Sequence, residues 1–306
     1  MTSDSASPHV SVIIVNYNGL HDTLECLRSV SRISYPHHDV VVVDNRSDRD
    51  ELEAIRVANP SVVLIQNLSN AGYAGAVDIG VKASFALDSE YVVILNNDTT
   101  VDHLFISHLV EAARRSDTIG VVGARIMYYS HPEIIWSTGG RLLVDIGLQQ
   151  EAGQNQLSPP SKGIAARDWV SGCAMLVKSR VLKLMPYGGN YRTDADDVEF
   201  CIRVRNLGMS VTSCQDSVVY HKVSRTKAKR PMVLRPDPFV GVISRHARHK
   251  NLALLSYLLI FRTARILNYV IRTPDKALRG YYARKIIYEI ALRTPFRYSA
   301  ARAYMG

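Results

Sequence analysis

Three apolar runs in this chain end on amides and carboxylates. Residues 10–15 lead into Asn16-Tyr17-Asn18-Gly19, residues 40–43 into Asp44-Asn45-Arg46-Ser47, and residues 91–95 into Asn96-Asn97-Asp98. Asn and Asp favour turns and helix caps, so each group alone could be turn chemistry. Three such groups on successive parallel strands would share one sheet edge, and open parallel sheets bind ligands beyond their carboxyl ends. There Asp44 could accept hydrogen bonds from a nucleobase edge. Asp98 could hold a magnesium-like cation against a diphosphate, because hard cations take one or two carboxylates plus phosphate oxygens. No GxGxxG follows the first run and no GxxxxGK[ST] occurs, which disfavours Rossmann and P-loop sites.

The elements that must position these groups read as an alternation. Short β-rich runs at 10–15, 40–43, 62–66 and 91–95 are separated by helical spacing at 20–30 and 51–58 and by a glycine-led helix at 70–84. Strand and helix recurring at this interval predict βαβ units and an α/β fold with a mostly parallel central sheet flanked by helices. A helix at 104–115 and a strand at 120–124 follow. Residues 137–168, rich in Gly, Gln, Ser and Pro, read as a long surface loop. An apolar segment at 169–177, a helix at 198–207 stopped by Gly208, and a strand at 211–221 complete the domain.

Composition adds a compartment and a tail. The four cysteines show no CxxC spacing, and the polar start lacks a signal pattern, so a cytoplasmic protein is expected. Net charge is +9. From residue 225 onward only Asp237, Asp275 and Glu289 carry carboxylate side chains, so the basic excess concentrates there and predicts an anionic partner. Residues 251–271 are strongly apolar but interrupted by Arg262 and Arg265. They read as an amphipathic helix on a membrane surface, with docking on the domain as the alternative. The expected organisation is a disordered start at 1–9, a domain at 10–230 and a basic amphipathic helical extension at 231–306. Within the domain, a nucleotide-binding half covers about 10–100 and an acceptor half about 101–230.

The ordered segments VSVIIVNYNG, VVVVDNRSDRD, NLSNAGYAGAVDIG, YVVILNNDT and DADDVEFCIRVRNLG resemble those of family-two inverting glycosyltransferases, which have the GT-A fold. Within that family the chain is most similar to the rhamnosyltransferase-like branch that builds bacterial surface polysaccharides. The resemblance runs from about residue 10 to residue 221.

It implies roles residue by residue. Asp44 would recognise the nucleotide base, with Asn45 and Ser47 beside it and Asn16 at the neighbouring strand end. Asn70, Gly72 and Gly75 match the NxGxxG loop along the nucleotide sugar; Asp78 stands where the family often has Asn. Asn96, Asn97 and Asp98 occupy the place of the DxD motif, with Asp98 as the principal metal ligand and His221 as a second. Asp196, Asp197 and Glu199 match the family's Glu-Asp-x-Asp, with Asp197 in the register of the general base, Asp196 beside it as a catalytic group and Glu199 on the acceptor side; helix capping is the alternative reading of the cluster. Trp169, Ser171 and Gly172 match the segment lining the acceptor side, with core packing the alternative for Trp169. Lys222, Arg225 and Lys227 could neutralise leaving phosphates, or form a solvated basic loop.

The expected activity is inverting transfer of a sugar, rhamnose or another hexose, from a dTDP-, UDP- or GDP-linked donor to a hydroxyl. Magnesium or manganese would assist. The expected acceptor is a glycan or lipid-linked saccharide at the inner face of the cell membrane; a soluble natural product is the alternative. A nucleotidyltransferase lacks its glycine-rich loop here, and a non-catalytic adaptor would not need Asp197. Nucleic-acid binding is disfavoured because the basic residues are confined to the tail.

Overall fold

The structure, a computed structural model, describes residues 7–143, 148–159, 161–188 and 196–223. The basic extension at 231–306 with its amphipathic helix lies outside the described residues, as do residues 1–6, Asp194, Arg225 and Lys227. Residues 7–9, expected in a disordered start, are instead tied to the sheet. The Pro8 carbonyl accepts from the Tyr35 hydroxyl at 2.6 Å, and His9 Nε2 lies 2.9 Å from Asp39.

The first half alternates β1 (Val10–Asn16), α1 (Leu20–Val30), β2 (His38–Asp44), α2 (Glu51–Ala58), β3 (Val63–Gln66), α3 (Gly72–Ala86) and β4 (Tyr91–Asn96). The second half runs β5 (Thr99–Val101), α4 (Phe105–Arg114), β6 (Ile119–Tyr128), β7 (Ile135–Ser137), β8 (Gly140–Leu143), β9 (Leu148–Glu151), β10 (Ile164–Arg167), β11 (Ala174–Lys178), α5 (Ser179–Leu184), α6 (Asp196–Asn206) and β12 (Ser210–His221). The main sheet has the order β10-β12-β6-β11-β4-β1-β2-β3, with β5 on β12 and β7 on β6.

β1 is buried at every position, as an unbroken apolar run in a central parallel strand must be. It pairs in parallel with β2 and β4, and β3 extends the parallel set. The register decides the site: Asn16 lies opposite Asp44, and Val15 opposite Asn96. The polar residues that end these strands therefore emerge level with one another.

The other half of the sheet is mixed. β11 runs antiparallel to β4, with Ala174 opposite Leu95, so the segment before β11 arrives where β4 ends. β12 runs parallel to β6 and then pairs antiparallel with β5, with His221 opposite Thr99. Residues 137–168, expected as a surface loop, contain the β8–β9 hairpin and the edge strand β10. Ser137 and Thr138 are buried there. A hairpin and an edge strand need no continuous apolar run, so Gly- and Gln-rich sequence conceals them. As expected, α6 stops before Gly208, whose φ of +77° suits a residue without Cβ.

Candidate active site

Asn16 is fully buried at the end of β1. Its amide donates to Asp44 Oδ1 and Glu51 Oε2, both at 2.8 Å, with Ser47 Oγ at 3.3 Å, and its oxygen accepts from Thr23 Oγ1 at 2.7 Å. Asp44 also accepts from the Ser47 hydroxyl at 2.6 Å and the Ser47 amide at 3.1 Å. Asn16 therefore meets its neighbours through both ends of its amide. It holds β1, β2, α1 and α2 together rather than facing open space, a placement different from the expected donor contact. Glu51, read in sequence only as the first helical residue, also receives the Gly19 N–H at 3.1 Å.

Asn45 plays the same part for the glycine loop. Its amide reaches Asn70 Oδ1 at 2.9 Å and the Gly72 carbonyl at 3.2 Å; its oxygen accepts from Asn67 and from the Ala71 N–H, both at 2.9 Å. Gly72 has φ +74° with nothing near its missing Cβ, so backbone shape and open space both suit glycine there. At Gly75 an added Cβ would come 3.0 Å from Ala71 Cβ. The loop thus presents exposed Asn70 and half-buried Gly72 at the start of α3.

Tyr73, which sequence reasoning passed over, joins the two halves. Its hydroxyl donates to Asn96 Oδ1 at 2.8 Å, with the Gly172 carbonyl at 3.3 Å. Burial holds the phenol well above its ordinary range, with Cys173, Asp197, Asp98 and Asp196 adding to it in that order. Those carboxylates, distant in sequence, are close enough in space to act on one hydroxyl.

At the end of β4 the two amides are structural. Asn96 receives Tyr73, and Asn97 donates to Thr23 Oγ1 at 2.9 Å. Asp98 is 9% exposed, and its Oδ1 lies 3.2 Å from His221 Nε2, a meeting set by the β5–β12 register. That contact has the distance of an ion pair but not the direction of a hydrogen bond. Both ring nitrogens of buried His221 are without hydrogen-bond partners among the described residues. Half-buried Trp136 packs edge-on against this imidazole, ring centroids 4.5 Å apart. An imidazole and a carboxylate converging with unused imidazole nitrogens fit a divalent cation such as manganese.

A second acidic group, His21, Asp22 and Glu25, has ligand atoms within 4.8 Å of one another. Lys222 Nζ already bonds Asp22 at 2.6 Å and Glu25 at 2.7 Å. Lys222 is thereby turned toward α1, not toward the phosphate role expected for it.

Asp196 and Asp197 open α6 and are half-buried. Asp197 Oδ2 accepts from the Gly172 N–H at 2.9 Å and Oδ1 from the Val198 N–H at 2.8 Å. A Cβ at Gly172 would come 2.5 Å from the Tyr187 hydroxyl and 3.2 Å from Asp197 Cβ, so glycine is required by this approach. Three residues expected to face the acceptor are placed otherwise. Trp169 is 3% exposed and packs as core. The Ser171 hydroxyl turns back to accept from the Cys173 N–H at 3.2 Å. Glu199 is buried, with both oxygens 2.9 Å from Arg203 Nε. Arg203 in turn holds the Pro186 and Tyr187 carbonyls, while Asp78 accepts the Tyr187 and Gly188 N–H groups at 2.7 and 3.0 Å. Glu199 and Asp78 thus fix the segment that leads toward α6.

Known proteins resemble this chain in sequence and fold. Residues 11–179, more than half of the 306-residue chain, match the family described as Glycosyl transferase family 2, and the chain belongs to that family: it is a glycosyltransferase. An uncharacterised protein of Mycobacterium tuberculosis is 31% identical over 118 residues, 38% of this chain and 41% of that protein. The O-antigen biosynthesis protein RfbC of Myxococcus xanthus is 26% identical over 239 residues, 72% of this chain and 18% of that protein. The chain spans less than half the length of both relatives.

Among solved structures, the mannosyltransferase PcManGT of Pyrobaculum calidifontis, in complex with GDP-Man and Mn2+, is similar with a TM-score of 0.56. The pair are 17% identical, the likeness covering 94% of this chain and 81% of that one. GalNAc-T7, with UDP, GalNAc and Mn2+, is similar with a TM-score of 0.61 at 17% identity, covering 95% of this chain and 59% of that one. These likenesses establish the GT-A fold, as expected from sequence.

Proposed function

We propose that this glycosyltransferase moves a sugar, rhamnose or another hexose, from a nucleotide-diphosphate donor to a hydroxyl of a glycan or lipid-linked saccharide, with inversion. The observation that carries the reading is the pair of hydrogen bonds from Tyr73, one to Asn96, two residues before Asp98 and its neighbour His221, the other to Gly172, whose N–H Asp197 accepts. Donor residues in this reading are Asp44, Ser47, Asn70, Gly72 and Gly75, with Asn16, Asn45, Asn96 and Asn97 holding them in place.

Asp98 and His221 would hold a divalent cation, magnesium or manganese, which when bound offsets the charge of the departing diphosphate. Asp197 is oriented by the Gly172 N–H and takes the proton of the acceptor hydroxyl. The new bond from that oxygen to the anomeric carbon forms as the bond to the diphosphate breaks on the opposite face. The diphosphate leaves with the electron pair. Tyr73 keeps its proton and holds Asn96 and the Gly172 carbonyl in register.

The likeness to RfbC supports surface polysaccharide synthesis as the setting. Association with the inner membrane face remains part of this proposal and rests on the basic composition of residues 225–306. Among the described residues no helix is long and apolar enough to cross a membrane.

Thermal stabilisation by UDP-, dTDP- and GDP-sugars with and without manganese tests the donor reading. One donor class should raise the melting temperature of the wild type only with manganese present. Asp98→Asn should abolish that dependence. Equal stabilisation in EDTA, or an unchanged manganese response in the variant, would remove the cation from the account.

A further inference from the structure

Glu151 ends β9 at the root of the β8–β9 hairpin, in the stretch that sequence presents as loop. Its backbone pairs with Gly140, which bridges to Trp169 at the start of the segment whose Gly172 holds Asp197, and the charge of Asp197 reaches its carboxyl. Ser137, which also bonds this carboxyl, is 1% exposed, and its hydroxyl oxygen accepts from the Gly139 N–H at 3.2 Å. Oε2 of Glu151 is buried and meets no hydrogen-bond partner among the described residues. Buried polar atoms are nearly always satisfied, so one left over beside a catalytic group points to a partner that arrives with the substrate.

Burial pushes this carboxyl up to about 7, with the Ser137 hydrogen bond pulling against it and the charge of Asp197 adding to it. Near neutral pH the group therefore exists both as a carboxyl that donates and as a carboxylate that accepts. Hydroxyl groups complement both forms, since each O–H can donate and accept. A monohydric alcohol has a single hydroxyl, which Asp197 would engage, and Glu151 would stay unsatisfied. A site built to bond a hydroxyl discriminates against analogues that lack it.

We propose that Glu151 is an acceptor-recognition residue: it bonds a second hydroxyl of a saccharide acceptor, beside the hydroxyl that Asp197 deprotonates, and so selects polyhydroxylated acceptors. The proposal rests on the reading of Asp197 as the base.

The test uses the full chain, the donor selected by the thermal panel, and four acceptor probes: octyl rhamnoside, octyl galactoside, octyl N-acetylglucosaminide and octanol. Transfer is followed for wild type, Glu151→Ala, Glu151→Gln and Asp197→Asn. The glycoside KM should rise about tenfold or more in Glu151→Ala, with kcat changed less and donor KM unchanged. Glu151→Gln, which keeps the shape and can still donate, should recover part of that loss and stands in should the alanine variant fold poorly. Octanol should be a poor acceptor for every form. Equal glycoside KM in wild type and both Glu151 variants, or no response of any form to any glycoside, overturns the proposal. Full activity in Asp197→Asn would instead defeat the base assignment, an outcome separable from the Glu151 result.

Discussion

Asn16 and Asp197 both sit where an element meets the same sheet edge, yet the fold treats them differently. Asn16 is enclosed, its amide donors directed at Asp44 and Glu51 and its oxygen at Thr23. Asp197 is half-buried, steered by two backbone N–H groups, and acts electrostatically on Tyr73, Tyr187 and Glu151. Polar groups that satisfy one another build a frame. Carboxyl groups brought together at a partly buried place, one of them with a raised pKa, are the pattern that marks chemistry. In the proposed reading the strand ends around Asn16 are therefore chiefly architecture that shapes a site, and Asp197, beyond Tyr73, is the reactive group.

This contrast can be broken most forcefully at Asn16. Asn16→Ala leaves two buried carboxylates short of a donor and should destabilise the fold by on the order of 3 kcal/mol, read from urea unfolding. Asp197→Asn, which turns one oxygen that accepts a backbone N–H into a donor, should cost clearly less, on the order of 1 kcal/mol. Similar losses from both variants, or a negligible loss from Asn16→Ala, would erase the distinction between frame and reactive group.

A smaller effect sharpens the acceptor side. The folded-state pKa of Glu151 is raised from 4.5 to about 7, so between these values the folded chain retains a proton that the unfolded chain has lost. This group's contribution to stability must then fall as pH rises from about 4.5 to about 7 and level off above. The difference in urea midpoint between wild type and Glu151→Gln, followed over that range, should show this slope. A flat difference would mean that Glu151 is not held as described.

Much of the frame was legible before any coordinates. Unbroken apolar runs that alternate with helical stretches point to central parallel strands, and their polar ends then share an edge. Both followed from β1, β2 and β4. The approach of His221 to Asp98 was legible only through family resemblance, because it depends on the register of β5, three residues too short to show a pattern. Tyr73 lay inside the quoted glycine loop, yet nothing local tells a tyrosine that will bridge two sheet halves from one that will face water. Glu51 looked like an ordinary acidic first turn until β1 delivered Asn16 to it. Trp169, Ser171 and Glu199 show the converse. The first two matched the acceptor segment and the third the acidic cluster before α6, and burial, a local turn and Arg203 respectively claimed them.

The central claim is that donor binding and proton removal belong to separate groups of residues that meet at Tyr73. Asp197→Asn tests it directly when manganese-dependent donor stabilisation and sugar transfer are measured on the same preparation. The account predicts unchanged stabilisation by the donor and a fall in transfer of roughly a hundredfold to ten-thousandfold, the usual worth of a positioned general base. Transfer at the wild-type rate, or loss of donor stabilisation together with activity, would contradict it.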